Sequence, residues 1–113
     1  MSEPIDDYAA RMRHLFDHGD MSFHLAKLLE ESGELAQAVN KDRPRLTVYS
    51  EVADVVLSAL LIGAVYRESF RKDDDSYPDL DDVIREKLQA LENGIEYKDF
   101  QPPPRDKDRR EKE

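Results

Sequence analysis

Two short acidic phrases in this chain combine residue types that bind metal ions with a spacing that groups them. The first phrase contains Glu31 and Glu34, and the second contains Glu51 and Asp54. In each phrase the two acids are three residues apart, so on an α-helix they share one face, one turn apart. Carboxylate oxygens are the ligands that hard divalent cations such as Mg²⁺ or Mn²⁺ prefer. The spacing therefore predicts two acidic pairs that can hold a divalent metal ion.

The surroundings of these acids distinguish them from an ordinary solvated helix face. Glu31 falls in line with Leu28 and Leu35, on the stripe that should face the core. The acids of the second phrase also lie on apolar stripes. Burying an unpaired charge costs on the order of several kcal/mol. Salt bridges from Lys27 to Glu30 or Glu31 explain part of this placement, and a bound cation explains more of it.

Helical periodicity of the apolar residues predicts the elements that must position these acids. Four helices are expected, over about residues 5–18, 22–40, 47–70 and 79–93. Ser22, Thr47 and Asp79 are the expected N-caps of the last three, and Pro44 should stop the second helix from continuing. The two acidic phrases fall on the second and third helices. We therefore expect an all-α, four-helix, bundle-like fold, with a single domain over residues 1–100.

The third predicted helix is apolar almost all the way round between Val52 and Val65. Such a helix must be covered on several sides, and one domain of about 100 residues has few other helices to cover it. We therefore expect oligomerisation to complete the fold, as a homodimer or a homotetramer. Its longest nearly apolar run, Val55 to Val65, is far shorter than the ~20 residues of a membrane span, so no membrane is expected.

Composition restricts the partners and the compartment. Acids outnumber bases 26 to 17 among the 113 residues, which gives a net charge of −9. Such a chain matches a nucleic acid backbone poorly, so no nucleic acid polymer is expected as a partner. Cysteine is absent and the acidic start does not resemble a signal peptide, so a cytoplasmic location is expected.

Residues 101–113 carry charges and prolines but no apolar core residues, which predicts a disordered tail.

The order of the acids also resembles a family signature. Glu-Glu-x-x-Glu, a gap and then Glu-x-x-Asp resembles the signature of the MazG-like nucleoside triphosphate pyrophosphohydrolases, part of the all-α NTP pyrophosphatase superfamily. The matching residues are Glu30, Glu31, Glu34, Glu51 and Asp54, and the resemblance covers about residues 23 to 95. It implies a MazG-type architecture and Mg²⁺-dependent cleavage of a nucleoside triphosphate, NTP or dNTP, to the monophosphate and pyrophosphate.

The resemblance also implies roles for individual residues. Glu31, Glu34, Glu51 and Asp54 would hold Mg²⁺, for which Mn²⁺ could substitute. Glu30 and Glu34 would be the catalytic carboxylates, with Glu30 binding a second metal ion or orienting the attacking water. Such an enzyme would clear or regulate the nucleotide pool. No nucleophilic cysteine is present, which argues against a covalent mechanism.

Three cations are candidate contacts for the substrate phosphates. Lys41 and Arg43 lie between the second and third helices, and Lys87 lies on the apolar face of the fourth. Related proteins tend to carry an Asn four residues after the late Lys, whereas Leu91 stands there in this chain. Loop solubility and a snorkelling lysine are the alternative interpretations. A non-catalytic helical module that binds nucleotide or a partner protein is the alternative function.

Overall fold

The computed structural model describes residues 4–71 and 78–94, and within these ranges every regular element is an α-helix. The chain folds as α1 (Ile5–Leu15), α2 (Met21–Asn40), α3 (Arg45–Arg71) and α4 (Leu80–Glu92). The predicted all-α fold class is therefore confirmed, whereas completion by oligomerisation remains a prediction. The tail predicted to be disordered, residues 101–113, lies outside the described residues. The single domain over residues 1–100 also remains a prediction.

The hairpin of α2 and α3 is the centre of the fold. The two helices pack along each other, and α1 packs against α3. Residues 41–44 connect α2 to α3, and within this turn Asp42 has a positive φ of 50°. The backbone N–H of Arg43 donates to the carbonyl of Ala38 at 3.0 Å, which closes the end of α2. So short a connection makes the helices antiparallel neighbours and brings the two acidic phrases together.

The ends of the first two helices differ from the predicted ones. Asp20, and not Ser22, caps α2, because its side-chain oxygen accepts a hydrogen bond from the N–H of Phe23 at 2.9 Å. The first helix ends at Leu15 rather than near residue 18. Its end follows from the backbone of Phe16, which leaves the helical region with φ −120° and ψ 68°.

The start of α3 was also predicted wrongly. The helix begins at Arg45, two residues before the expected cap at Thr47. The carbonyl of Pro44 accepts a hydrogen bond from the N–H of Val48 at 3.1 Å and so closes the first turn. Proline is well suited to a helix start because it has no N–H that would be left without a partner.

The fourth helix is held at its N-terminus by contacts with the first and third. Asp79 precedes α4 as predicted, but its carboxylate pairs with Arg67 of α3 at 2.6 Å and makes no capping bond. Asp6 of α1 instead accepts a hydrogen bond from the backbone N–H of Asp81 at 3.3 Å. The Asp6 side chain thus joins α1 to α4, because it accepts from a backbone N–H that has no partner within the first turn of α4.

The described residues form a small apolar core. Four apolar residues are buried in it, namely Ala9, Ala38, Leu60 and Leu61. Thirteen large hydrophobic side chains in the same ranges are exposed. Because burial of apolar surface is the main stabilising contribution to a fold, the described residues of one copy obtain only part of that contribution.

The third helix also has the length and composition of a membrane span over Arg45–Ser69, and only 11% of its most apolar window is buried. A single helix of this kind is weak evidence for a membrane span, because the core helix of a soluble protein has a similar length and composition, although such a core helix is mostly buried. The expectation that this chain has no membrane partner remains a prediction.

Replacing Gly19 with Ala should destabilise the fold by about 1–2 kcal/mol. Gly19 has a φ of +96°, and an added Cβ would lie 3.1 Å from the Phe23 ring. Gly33 is the matched control, because it lies inside α2 and nothing lies within 4 Å of an added Cβ. Gly33→Ala should stabilise the helix by about 1 kcal/mol. Urea unfolding measures both changes, and equal effects of the two substitutions would contradict this description of the turn.

Candidate metal centre

Three of the four predicted metal ligands meet between α2 and α3. Glu31 of α2 and Glu51 and Asp54 of α3 each place one carboxylate oxygen within 4.8 Å of the other two. Mg²⁺ binds oxygen at about 2 Å, so ligands on opposite sides of the ion are about 4 Å apart. Small side-chain rotations would therefore bring the three oxygens to coordination distance of one ion. We call these three residues the acidic group.

Two oxygens of the acidic group lack the partners that buried oxygens normally have. Oε2 of Glu31 and Oε2 of Glu51 are buried and make no hydrogen bond. The Glu31 side chain as a whole is only 15% exposed. Unpaired buried carboxylates are unfavourable, and a cation is the partner that relieves several of them at once. The all-oxygen donor set fits a hard divalent ion, so the residues present are suited to Mg²⁺ or Mn²⁺.

The electrostatics of Glu31 lead to the same conclusion. Burial raises the pKa of Glu31 above its ordinary value of 4.5, and the carboxylates of Glu34 and Asp54 raise this pKa further by repulsion. Lys27 opposes the shift, with its Nζ 3.9 Å from Glu31 and 3.7 Å from Glu30. The salt bridges expected within α2 are therefore present, yet they leave the charged form of Glu31 disfavoured. Positive charge is still lacking at this position.

A protein-family model matches the part of the chain that contains this centre. The model of the MazG nucleotide pyrophosphohydrolase domain matches residues 21–93, which include α2, α3 and α4 with the acidic group. The chain belongs to this MazG family. The family predicted from the acidic signature is thereby confirmed. No curated protein and no solved structure matched the chain.

The remaining two acids of the MazG signature lie beside the acidic group rather than in it. Glu34 is exposed, and its charge is close enough to raise the pKa of Glu31. Glu30 is also exposed and pairs with Lys27. The predicted metal-binding role of Glu34 and the predicted catalytic roles of Glu30 and Glu34 remain predictions.

The cationic side chains predicted to contact substrate in this MazG chain lie on two separate elements, the α2–α3 turn and α4. Lys41 and Arg43 are exposed in the turn between α2 and α3. Lys87 is partly buried on α4, a helix that packs against α1. Their role in binding substrate remains a prediction. Lys27 was expected only as a salt-bridge partner, although its position four residues before Glu31 already placed it next to the metal ligands.

The metal-free protein should become less stable as the pH rises above about 4.5, the ordinary pKa of Glu31. A raised pKa in the folded state means that folding favours the protonated carboxyl, so its contribution is full below that pH and is lost as the pH rises through the raised pKa. Glu34, Asp54 and Glu51 surround this group with negative charge, and Lys27 offsets only part of it.

Urea unfolding in metal-free buffer between pH 4 and 7 tests this dependence. Glu31→Gln should flatten the profile, because the amide does not titrate. Glu30→Gln is the matched control, since Glu30 is exposed and paired with Lys27, and it should keep the slope of the unsubstituted protein. An unchanged slope in Glu31→Gln would show that the charge of Glu31 is not disfavoured by folding.

Proposed function

We propose that this MazG-family chain is a Mg²⁺-dependent nucleoside triphosphate pyrophosphohydrolase. The observation that carries the proposal is the convergence of Glu31, Glu51 and Asp54 between α2 and α3, with two buried oxygens that lack partners. The substrate would be an NTP or dNTP, cleaved to the monophosphate and pyrophosphate. The role would be to clear unwanted nucleotides or to regulate their pool.

The acidic group would hold the metal ion, and Glu34 would complete the ligand set from the same helix as Glu31. When bound, Mg²⁺ supplies two kinds of chemistry, acidification of water and neutralisation of charge on phosphate oxygens. Mn²⁺ could replace it, because it accepts the same oxygen ligands. The positive charge would also separate the triphosphate from a chain whose own net charge is −9.

The exposed acids beside the group would orient the attacking water. Glu30 and Glu34 lie on the exposed part of α2, on either side of Glu31 in sequence. A carboxylate that is not fully engaged by metal can accept a proton from water as it attacks. We assign this role to Glu30 or Glu34, with the leaving pyrophosphate passing to solvent.

The cations near the hairpin would bind the phosphate oxygens that the metal leaves free. Lys27 is already beside the acids, and Lys41 and Arg43 lie in the turn at the end of the same helix. Lys87 would add a contact from α4. We further propose a cytoplasmic location and no nucleic acid polymer as partner, on the basis of the acidic charge and the absence of cysteine.

Pyrophosphate release from a panel of NTPs and dNTPs, with Mg²⁺ and with EDTA, tests the proposed function. We expect turnover of at least one nucleotide with Mg²⁺ and none with EDTA, with pyrophosphate rather than phosphate as the product. No turnover of any nucleotide in the presence of metal would favour the alternative function, a non-catalytic module that binds nucleotide or a partner protein.

A further inference from the structure

A cavity of about 850 Å³ lies between α1, α3 and the start of α4. Small side chains of α1 and α3 leave this space open, and apolar side chains of α4 form one of its walls. The apolar lining comes from all three helices and includes Ala9, Ala10, Gly63, Ala64, Leu80 and Val83. Sites for small molecules are typically about 300–1,000 Å³ in volume and mostly apolar, with a few polar groups. The cavity therefore has the size and the lining of a small-molecule site.

The cavity lies on the side of α3 that faces away from the metal centre. The acidic group is between α2 and α3, and Asp54 is its last member along the chain. Gly63 follows Asp54 by nine residues on α3, which corresponds to about 180° of rotation and about 14 Å along the axis. Arg67 follows Asp54 by thirteen residues, or about 220°, and so lies on the same far side. None of the residues that line the cavity belongs to the acidic group, so the cavity is a second site.

The charged side chains that line the cavity carry one more negative charge than positive charge. Arg13 of α1 pairs with Glu68 of α3 at 2.6 Å, and Arg67 of α3 pairs with Asp79 at 2.6 Å. Each of these pairs is neutral in itself. Asp6 of α1 is the fifth charged residue of the lining, so three acids meet two bases there. Among the described residues, both arginines therefore already hold a carboxylate of their own, whereas Asp6 is in excess.

The half-buried carboxylate of Asp6 is poorly compensated. Burial raises the pKa of Asp6 above its ordinary value of 3.8, and the carboxylates of Asp79 and Asp81 raise this pKa further by repulsion. The backbone N–H of Asp81, which donates to Oδ2 of Asp6 at 3.3 Å, and the charge of Arg67 oppose the shift. Because the charged form of Asp6 is still disfavoured, a positive charge brought beside it is stabilising.

We propose that this cavity binds a small organic cation, an ammonium group carried on an aliphatic or aromatic body. The ammonium group would donate hydrogen bonds to the Asp6 carboxylate, and the body would displace water from the apolar lining. An anionic ligand is disfavoured, since both arginines hold carboxylates and the lining has surplus negative charge. A neutral ligand fills the space but leaves Asp6 uncompensated. The inference goes beyond the proposed hydrolase function and does not depend on it.

Calorimetric titration of the full chain with three probes of similar size tests this proposal. Phenethylamine is the cationic probe, 2-phenylethanol is its neutral counterpart and 3-phenylpropionate is its anionic counterpart. Excess Mg²⁺ is present throughout, so that the amine does not compete for the acidic group. We expect saturable binding of one amine per chain, binding of the alcohol that is weaker by at least about tenfold, and none of the anion. No saturable binding of the amine, or equal affinity for the amine and the alcohol, would overturn the proposal.

Asp6→Asn tests the charge of the site on the protein side. The amide keeps an oxygen that can accept the N–H of Asp81, so the start of α4 should stay in place. The affinity for the amine should fall by at least about tenfold, and the affinity for the alcohol should not change. Asp7→Asn is the matched control, because Asp7 is the exposed neighbour on the same helical turn and does not line the cavity. An amine affinity that is equal in the two variants would contradict the assignment.

Three further variants separate the cavity from the metal centre. Ala64→Phe fills the cavity and should remove binding of both the amine and the alcohol, whereas Ala59→Phe, on an exposed part of the same helix, should keep both. If Ala64→Phe does not fold, Asp6→Asn and the probe series still decide the outcome. Glu51→Gln changes the acidic group alone and should keep amine binding, so failure of the hydrolase proposal and failure of this one are distinguishable. Amine binding that is lost in Glu51→Gln but kept in Asp6→Asn would place the amine at the metal centre and overturn the proposal.

Discussion

Replacing Glu51 with Gln is expected to lower Mg²⁺-dependent pyrophosphate release by about 10³-fold, which corresponds to about 4 kcal/mol of lost transition-state stabilisation. A bound metal ion contributes on this scale, and an amide is a much poorer ligand for it than a carboxylate. The substitution keeps the size of the side chain. Glu51 is the appropriate position because one of its oxygens is buried without a hydrogen-bond partner.

The fold should survive this substitution. Removing one negative charge from the acidic group lessens repulsion, so the metal-free Glu51→Gln protein should melt no lower than the unsubstituted one. Glu86→Gln is the matched control, because Glu86 is an exposed acid on α4 outside the acidic group and should leave turnover unchanged. Initial rates with purified proteins give the comparison. Full activity in Glu51→Gln would remove Glu51 from the set of metal ligands.

Adding Mg²⁺ at about one hundred times its Kd should raise the free energy of unfolding by about 2.7 kcal/mol. For a domain of this size the melting temperature would rise by about 10–20 °C. The physical reason is that the acidic group exists only in the folded state, where a cation relieves the repulsion around Glu31. Thermal unfolding followed by circular dichroism in Mg²⁺, Mn²⁺ and EDTA measures the shift.

Screening must be separated from binding in this experiment, because salt also stabilises a chain with a net charge of −9. NaCl at equal ionic strength is the control for screening, and Glu51→Gln is the control for the site. We expect the large shift only with divalent ions and only when Glu51 is present. Equal shifts with NaCl and Mg²⁺ would mean that no specific ion is bound.

Helical periodicity was sufficient to predict the four helices and the three residues of the acidic group. Acids three apart share a helix face, and a short connection makes α2 and α3 neighbours, so Glu31, Glu51 and Asp54 meet as their spacing indicated. The placement of Glu34 was not predictable in the same way. It lies about 60° of rotation from Glu31, and whether its oxygen reaches α3 depends on helix separation and rotamer rather than on spacing.

The ends of the helices and the positions of the cationic side chains were harder to predict, for different reasons. Asp20 and Ser22 are both good caps, and only the backbone of the preceding turn decides which one accepts the first free N–H. Lys41 and Arg43 are long side chains in an exposed turn, so packing against other residues does not fix their positions. The exposure of apolar residues on α3, such as Val52 and Val56, was by contrast predictable, because this helix is apolar on nearly every side.

Anomalous diffraction from crystals of the full chain soaked in MnCl₂ tests most directly whether the two acidic phrases share a metal ion. We expect a strong anomalous peak between α2 and α3, at about 2 Å from carboxylate oxygens of Glu31, Glu51 and Asp54. No peak at this position, with the three side chains turned apart into solvent, would contradict the metal centre and the hydrolase function that depends on it.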